Sequence, residues 1–161
     1  MSDEHLPVFG VGPIYVISIM AVTVAALLLD HFDLVPDIRL GYDTVFKVIG
    51  VVLILMWIPL WYGAAVRTRV GDGVRENRLV TDGVYAWVRN PIYSAFMFLC
   101  WGLLVYTGNL CLFVFIPLFW VLLTVMMQNT EEKWLSGLYG REYADYCSRV
   151  NRCIPWFPKK P

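Results

Sequence analysis

Residues 90–130 read NPIYSAFMFLCWGLLVYTGNLCLFVFIPLFWVLLTVMMQNT, 41 positions without one charged side chain. A bilayer's hydrocarbon core is about 30 Å thick, and roughly 20 apolar residues cross it as a helix. The run is therefore twice too long for one span and suits two. Thr107-Gly108-Asn109 near its middle is a turn signal, so the run divides into helices over 91–107 and 110–130 joined as a tight hairpin. Two further uncharged runs precede it. The apolar part of the first predicts a span over 11–29, and the second, bracketed by Lys47 and Arg67, predicts one over 48–66. The expected fold class is all-α: one integral-membrane helical domain over 1–161 with about four transmembrane helices.

Composition points the same way. The chain is 58% hydrophobic and only 16% charged, with a formal net charge of zero. That balance belongs to a membrane protein and gives no basis for nucleic-acid binding. Charge distribution says more than its sum. Residues 30–47 hold Arg39 and Lys47 against four aspartates, whereas residues 67–89 hold five arginines and the chain after Glu131 holds six Lys or Arg. Basic connections stay in the cytoplasm, and four spans put both basic segments on one side. The sequence thus predicts cytoplasmic termini and a short outer loop over Asp30–Asp43 broken by Pro36. A signal peptide is the competing reading of the first run. Asp3 and Glu4 stand where such a peptide is basic, and no small-residue cleavage site precedes Asp30, which favours a retained span.

Other residue types exclude more than they suggest. Cys100 and Cys111 sit in apolar runs as small packing residues; Cys147 and Cys153 match no metal or redox spacing. His5 and His31 fall on opposite sides of the predicted membrane, so no metal site is expected. Gly10-Val11-Gly12-Pro13 is no dinucleotide fingerprint, because no strand precedes it. Trp57, Trp61, Trp87, Trp101, Trp120, Trp134 and Trp156 mostly fall near predicted span ends, as an interfacial belt would. Pro59 and Pro117 lie inside predicted spans and are expected to kink them.

The chemistry lies in two polar blocks, 79–93 and 131–155, that flank the hairpin. From Gly108, Asn90 is about 27 Å back and Glu131 about 35 Å on, at 1.5 Å per residue. Antiparallel helices of those lengths return both blocks to one membrane surface and bring Arg89 and Asn90 to face Glu131 and Glu132. Such a surface suits a zwitterion, with acids for an ammonium and an arginine or amide for a carboxylate. Beyond Glu132, the residues Leu135, Tyr139, Tyr143, Tyr146 and Val150 recur on one face of an amphipathic cytoplasmic helix that continues the last span or breaks at Gly137 or Gly140. Arg152-Cys153-Ile154-Pro155-Trp156-Phe157-Pro158 then ends it as an extended segment able to fold over the site. Each feature also has a plainer reading. An arginine at a span end anchors topology, glutamates at a helix end are solvated, a tyrosine stripe packs at the interface, and Thr81-Asp82-Gly83 is a turn with a helix cap. Their coincidence at one surface favours function.

The order of these residues resembles the isoprenylcysteine carboxyl methyltransferase and phospholipid methyltransferase superfamily. Leu79, Val80, Gly83, Tyr85, Arg89, Pro91 and Tyr93 match its first block. Glu131, Glu132, Leu135, Tyr139, Gly140, Tyr143, Tyr146, Arg152 and Pro155 match its second, so about half the chain carries the likeness. The resemblance implies S-adenosylmethionine as cofactor and a lipophilic acceptor arriving from the bilayer. It assigns cofactor contacts to Val80, Tyr85, Asn90, Pro91, Tyr93, Glu131, Tyr143 and Tyr146, and catalytic roles to Arg89, Glu132 and Arg152. Asn90 stands where the family usually has histidine; it can hydrogen-bond but cannot titrate. The resemblance leaves the acceptor open among a carboxylate, an amine and a thiol, and leaves oligomeric state open. Residues 138–150 also look like the end of NADPH-dependent membrane sterol reductases. A non-catalytic membrane protein with the same fold is the third reading, and cofactor binding separates the three.

Overall fold

The computed structural model describes residues 11–67 and 78–159. His5, Arg69, Arg75 and both termini, on which part of the orientation argument rests, lie outside them. Five α-helices follow in order: α1 (Gly12–His31), α2 (Asp43–Tyr62), α3 (Pro91–Thr107), α4 (Phe115–Asn129) and α5 (Glu131–Arg149). A π-helical turn, Gly63–Arg67, prolongs α2, and short 3-10 turns at Gly83–Ala86 and Leu110–Val114 lead into α3 and α4. Among the described residues the only β-type pairing is one isolated parallel bridge, Val88 with Asn151.

Three segments are long and apolar enough to cross a membrane: Gly12–His31, Asp43–Ala65 and Leu110–Asn129. The helix α3 is equally apolar but has 17 residues, about 25 Å of helix. Local chemistry explains where the helices begin and end. Pro91 opens α3 at a position that has no intrahelical N–H partner to lose. Gly108 closes it in the left-handed region (φ 73°), its N–H donating to Val105 O, a conformation that costs a side-chain-bearing residue about 1 kcal/mol or more. The turn read from Thr107-Gly108-Asn109 is therefore present. Pro117 departs from expectation: it lies in the first turn of α4, just after the Leu110–Val114 3-10 turn, where proline is tolerated and need not kink a helix.

Helix α3 is the centre of the bundle. Its buried residues Met97, Cys100 and Leu104 join Tyr15 and Ile19 of α1 and Phe119, Leu123 and Met127 of α4 in one apolar core. Toward α2 it packs through backbone. A Cβ added to Gly50 would lie 2.7 Å from Gly102 O, and one added to Gly102 would lie 2.6 Å from Gly50 O. Lipid gives helices no hydrophobic reason to associate, so close backbone approach through small residues supplies the attraction. Trp101 belongs to this interior, edge-on to Phe98 with ring centroids 5.4 Å apart, and not to a surface belt. Most large residues of α2, such as Val45, Val48, Val52 and Leu55, are exposed, as lipid-facing residues are.

At the hairpin end, a fully buried Asn109 organises the loop over 32–42. Its Nδ2 donates to Asp30 Oδ1 (2.7 Å) and Pro36 O (3.1 Å), and its Oδ1 accepts from Ile38 N (3.3 Å) and Cys111 N (3.0 Å). Asn109→Ala strands several of these groups, and each buried unsatisfied group costs about 1–3 kcal/mol. We expect it to lower the melting temperature in detergent while leaving ligand affinity of the folded fraction unchanged. An unchanged melting curve would mean that water satisfies this loop.

Candidate functional site

The two polar blocks meet where α3 begins and α4 ends. Gly83 takes a left-handed conformation (φ 60°) and starts the 3-10 turn that presents Tyr85. Asp82 occupies the cap position of that turn, but its side chain makes no capping bond. Residues 87–90 then run beside the chain that follows α5, with one parallel bridge between Val88 and Asn151. Arg89 N donates to Asn151 O (2.8 Å), Asn90 N to Arg152 O (3.3 Å) and Trp156 N to Trp87 O (3.2 Å). Lys159 N closes the segment back on Arg149 O (2.9 Å). Residues 150–159 thus form a strap across the first block, with bends at 152–154 inside the segment that the sequence predicted to be extended from Arg152 to Pro158.

The strap carries Arg152 onto Glu132. The pairing is bidentate, with Arg152 Nε 2.6 Å from Glu132 Oε1 and Nη2 2.9 Å from Oε2. Arg89 Nη1 approaches the same Oε1 at 3.2 Å. Only 9% of the Arg89 side chain and 12% of the Glu132 side chain are exposed, so solvent screens this cluster weakly. Arg89 Nη1 also donates to Cys147 Sγ, and Gln128, with its carbonyl turned inward, accepts from Arg152 Nη1 (3.2 Å). Hydrogen bonding to Glu132 holds the Arg152 guanidinium above its ordinary pKa. Two guanidiniums face one carboxylate, which leaves the clamp with an excess of positive charge. Arg89 Nε–H is buried and meets no acceptor among the described residues.

Glu131 heads a second group. Tyr93 donates its hydroxyl to Glu131 Oε1 (3.0 Å), and the Gly12 amide at the start of α1 also bonds this carboxylate. Burial outweighs both bonds and raises the Glu131 pKa. Gly12 leaves room for the Tyr93 ring: a Cβ at that position would sit 2.0 Å from it and displace the ring. The tyrosines form the remaining wall. Tyr146 donates to Tyr85 O (2.7 Å), and the Tyr143 and Tyr146 rings lie 6.2 Å apart in a cluster with Leu79, Leu135 and Tyr139. Burial raises the hydroxyl pKa values of Tyr85, Tyr143 and Tyr146, with the Glu131 charge adding to the effect at Tyr85. All three are phenols, not phenolates, at neutral pH. Gly140 (φ 50°) breaks α5 and turns this face inward, at one of the two glycines where a break was expected.

The structure brings together Arg89, Glu132 and Arg152, and separately Tyr85, Tyr93 and Glu131. Pro91 is buried at the start of α3 and Val80 is half-buried beside the tyrosine wall's segment. Asn90 has a structural partner: its Nδ2 donates to Arg152 O (3.1 Å), pinning the strap. Nor do the two glutamates wait as free acids for an ammonium. Glu132 is taken up by two arginines and Glu131 by Tyr93 and Gly12. Sequence reasoning missed Cys147, Gly12 and Gln128. Cys147 falls one turn after Tyr143 on the buried stripe, a signal that was available. Among the described residues no group of three His, Cys, Asp or Glu is placed to hold a metal ion. An apolar groove of about 310 Å³ between Val22, Leu29, Pro36, Leu112 and Phe115 lies at the opposite, hairpin end and is separate from this site.

Comparison with known proteins identifies the family. The chain is 33% identical over 87 residues to methanethiol S-methyltransferase 1 of Bradyrhizobium diazoefficiens, covering 54% of this chain and 30% of that protein. It is 36% identical over 87 residues to the protein-S-isoprenylcysteine O-methyltransferase of Schizosaccharomyces pombe (52% and 36% covered). To the Saccharomyces cerevisiae protein of that name it is 34% identical over 82 residues (50% and 34% covered). The matched stretch therefore spans about a third of these relatives' length, and the reductase alternative gains nothing from them. No solved structure matches. Residues 44–142, which hold α2, α3, α4, the first polar block and both glutamates, match the family of phospholipid methyltransferases, and the chain belongs to that family.

Proposed function

We propose that this protein is an integral-membrane methyltransferase that uses S-adenosylmethionine and methylates a lipophilic acceptor with an anionic nucleophile, a carboxylate or a thiolate. The observation that carries the reading is the clamp of Arg89 and Arg152 on Glu132, cationic on balance and set at the end of the apolar hairpin. The relatives named above act, by their names, on isoprenylcysteine oxygen and methanethiol sulfur, both anionic when they attack. An amine acceptor fits less well, since it must first lose a proton and both glutamates already have partners. Asn90, in the usual histidine position, cannot take a proton either.

The residues present suit the methyl donor. When bound, S-adenosylmethionine supplies an electrophilic methyl group on a sulfonium sulfur whose charge is lost on transfer. The orphan Arg89 Nε–H offers a buried donor for a carboxylate. Glu132 holds both guanidiniums in place, so neither must reorganise during reaction. The tyrosine wall and the strap exclude water, which strengthens each of these interactions. Alignment and dryness are the help that such a displacement needs. On this reading the site faces the cytoplasm, where the basic segments are expected.

Two measurements test it. Ligand at about 100 times its dissociation constant should stabilise the detergent-purified protein by roughly 2.7 kcal/mol, read as a melting shift with S-adenosylmethionine or its demethylated product. Labelled donor and a membrane lipid extract should give a methyl ester or thioether product, identified by mass. A shift with NADPH and none with either adenosyl ligand would replace this reading by the reductase one.

A further inference from the structure

The strap reaches deeper than a cytoplasmic tail needs to. Cys153 is buried in the same core as Tyr15, Ile19 and Phe119, and its Sγ lies 3.8 Å from Thr124 Oγ1. Thr124 is five residues inside the Asn129 end of α4, about 7–8 Å along the helix axis. The strap therefore dips from the charged level of Glu131 and Glu132 to a level inside the span ends. Around that dip its outer side is apolar: Ile154 is 42% exposed, Trp156 64% and Phe157 70%. Trp87, 43% exposed, extends the patch, with its ring 5.0 Å from that of Phe157. The two ends of the strap, tied at Arg149 and Lys159, are exposed and basic.

We propose that the strap is seated in the headgroup–acyl boundary of the bilayer, with Ile154, Trp156, Phe157 and Trp87 in contact with lipid and Arg149 and Lys159 among the phosphates. Depth, side-chain type and charge all fit that layer. Apolar faces of membrane-surface segments bury about 5–10 Å into it, and aromatic residues favour it. The consequence concerns the site. Arg152 lies on the strap between Asn151 and the lipid-seated residues, so the bilayer becomes a third component of the clamp, holding Arg152 onto Glu132. The seating itself does not rest on the proposed reaction; only its effect on ligand affinity does.

The test uses the whole chain reconstituted in vesicles of phosphatidylcholine and phosphatidylglycerol. Phe157→Cys is labelled with an environment-sensitive fluorophore, and the natural protein given the same treatment corrects for its own four cysteines. We expect lipids spin-labelled near the headgroup to quench most of the emission, and aqueous iodide to quench little of it. Strong iodide quenching without lipid quenching overturns the proposal. In the same vesicles, Trp156→Ser/Phe157→Ser should weaken S-adenosylmethionine binding about tenfold, and Trp156→Phe/Phe157→Trp should restore it. Natural affinity in a folded serine variant overturns the coupling to the site. Absence of donor binding by the natural protein would instead count against the proposed function, and the depth measurement stands apart from it.

Discussion

Glu132→Ala is expected to destabilise the protein by about 3–5 kcal/mol and to abolish donor binding. Removing one partner of a buried ion pair leaves the other charge without compensation, and that cost is of this size. Here one deletion strands two cations. Arg89 is almost fully enclosed, while Arg152 loses a bidentate acceptor at 2.6 and 2.9 Å. The guanidiniums then repel each other, and the strap that carries Arg152 loses its side-chain anchor. Glu132→Gln keeps the shape and one acceptor oxygen, so it should fall between the natural protein and the alanine variant. Arg152→Met combined with Glu132→Ala should recover part of the loss, because it removes one stranded charge; such a cycle isolates the pair. Arg152→Met alone completes the cycle, and thermal melts in one detergent compare these four variants with the natural protein. If the alanine variant melts within about 1 kcal/mol of the natural protein, the cluster is behaving as a solvated surface pair and has no structural hold on the site.

The second large effect lies far from the chemistry. Gly102→Val should cost about 3 kcal/mol or more, toward the upper end of overpacking penalties. The first added carbon already meets Gly50 O at 2.6 Å, and the obstacle is main chain, which cannot rotate away as a side chain would. Two methyls beyond it must separate α2 from α3, and with them Leu60, Phe98 and Trp101. Gly102→Ala should show a smaller loss in the same direction. Yield of monodisperse protein and melting temperature report the effect. A valine variant that purifies and melts like the natural chain would show that the two helices do not meet at this crossing in the membrane.

Much of this architecture is written in the sequence at the scale of segments. Uncharged length gives the apolar helices, Gly108 marks the hairpin, and the stripe from Leu135 to Val150 gives the buried face of α5. The pairing of the polar blocks followed from helix lengths alone and is realised in the 3.0 Å bond from Tyr93 to Glu131. What stayed hidden are contacts whose signal is a single small or neutral residue. Nothing local in the sequence says that Gly50 and Gly102, distant in the chain, face each other. Gly12 looked like part of a failed nucleotide motif, and its use as room for the Tyr93 ring depends on tertiary placement. The place of Cys147 on the buried stripe is legible, but its bond to Arg89 depends on tertiary placement. The partners of the glutamates are hidden for a related reason: composition shows charges but not which neighbour each of them meets.

The strap is attached to residues 87–90 largely through main-chain groups: the amides of Arg89, Asn90 and Trp156 and the carbonyls of Trp87, Asn151 and Arg152. Bonds of this kind leave no trace in residue identity. Position 151 can change without touching the closure, and position 156 can change among the apolar residues that lipid accepts, as long as an arginine remains at 152 to meet the acid. Relatives can therefore share this device with unrelated letters in their tails. Its loss would be announced by one substitution above all, a proline at 156 or 159, which removes the amide that ties the loop down.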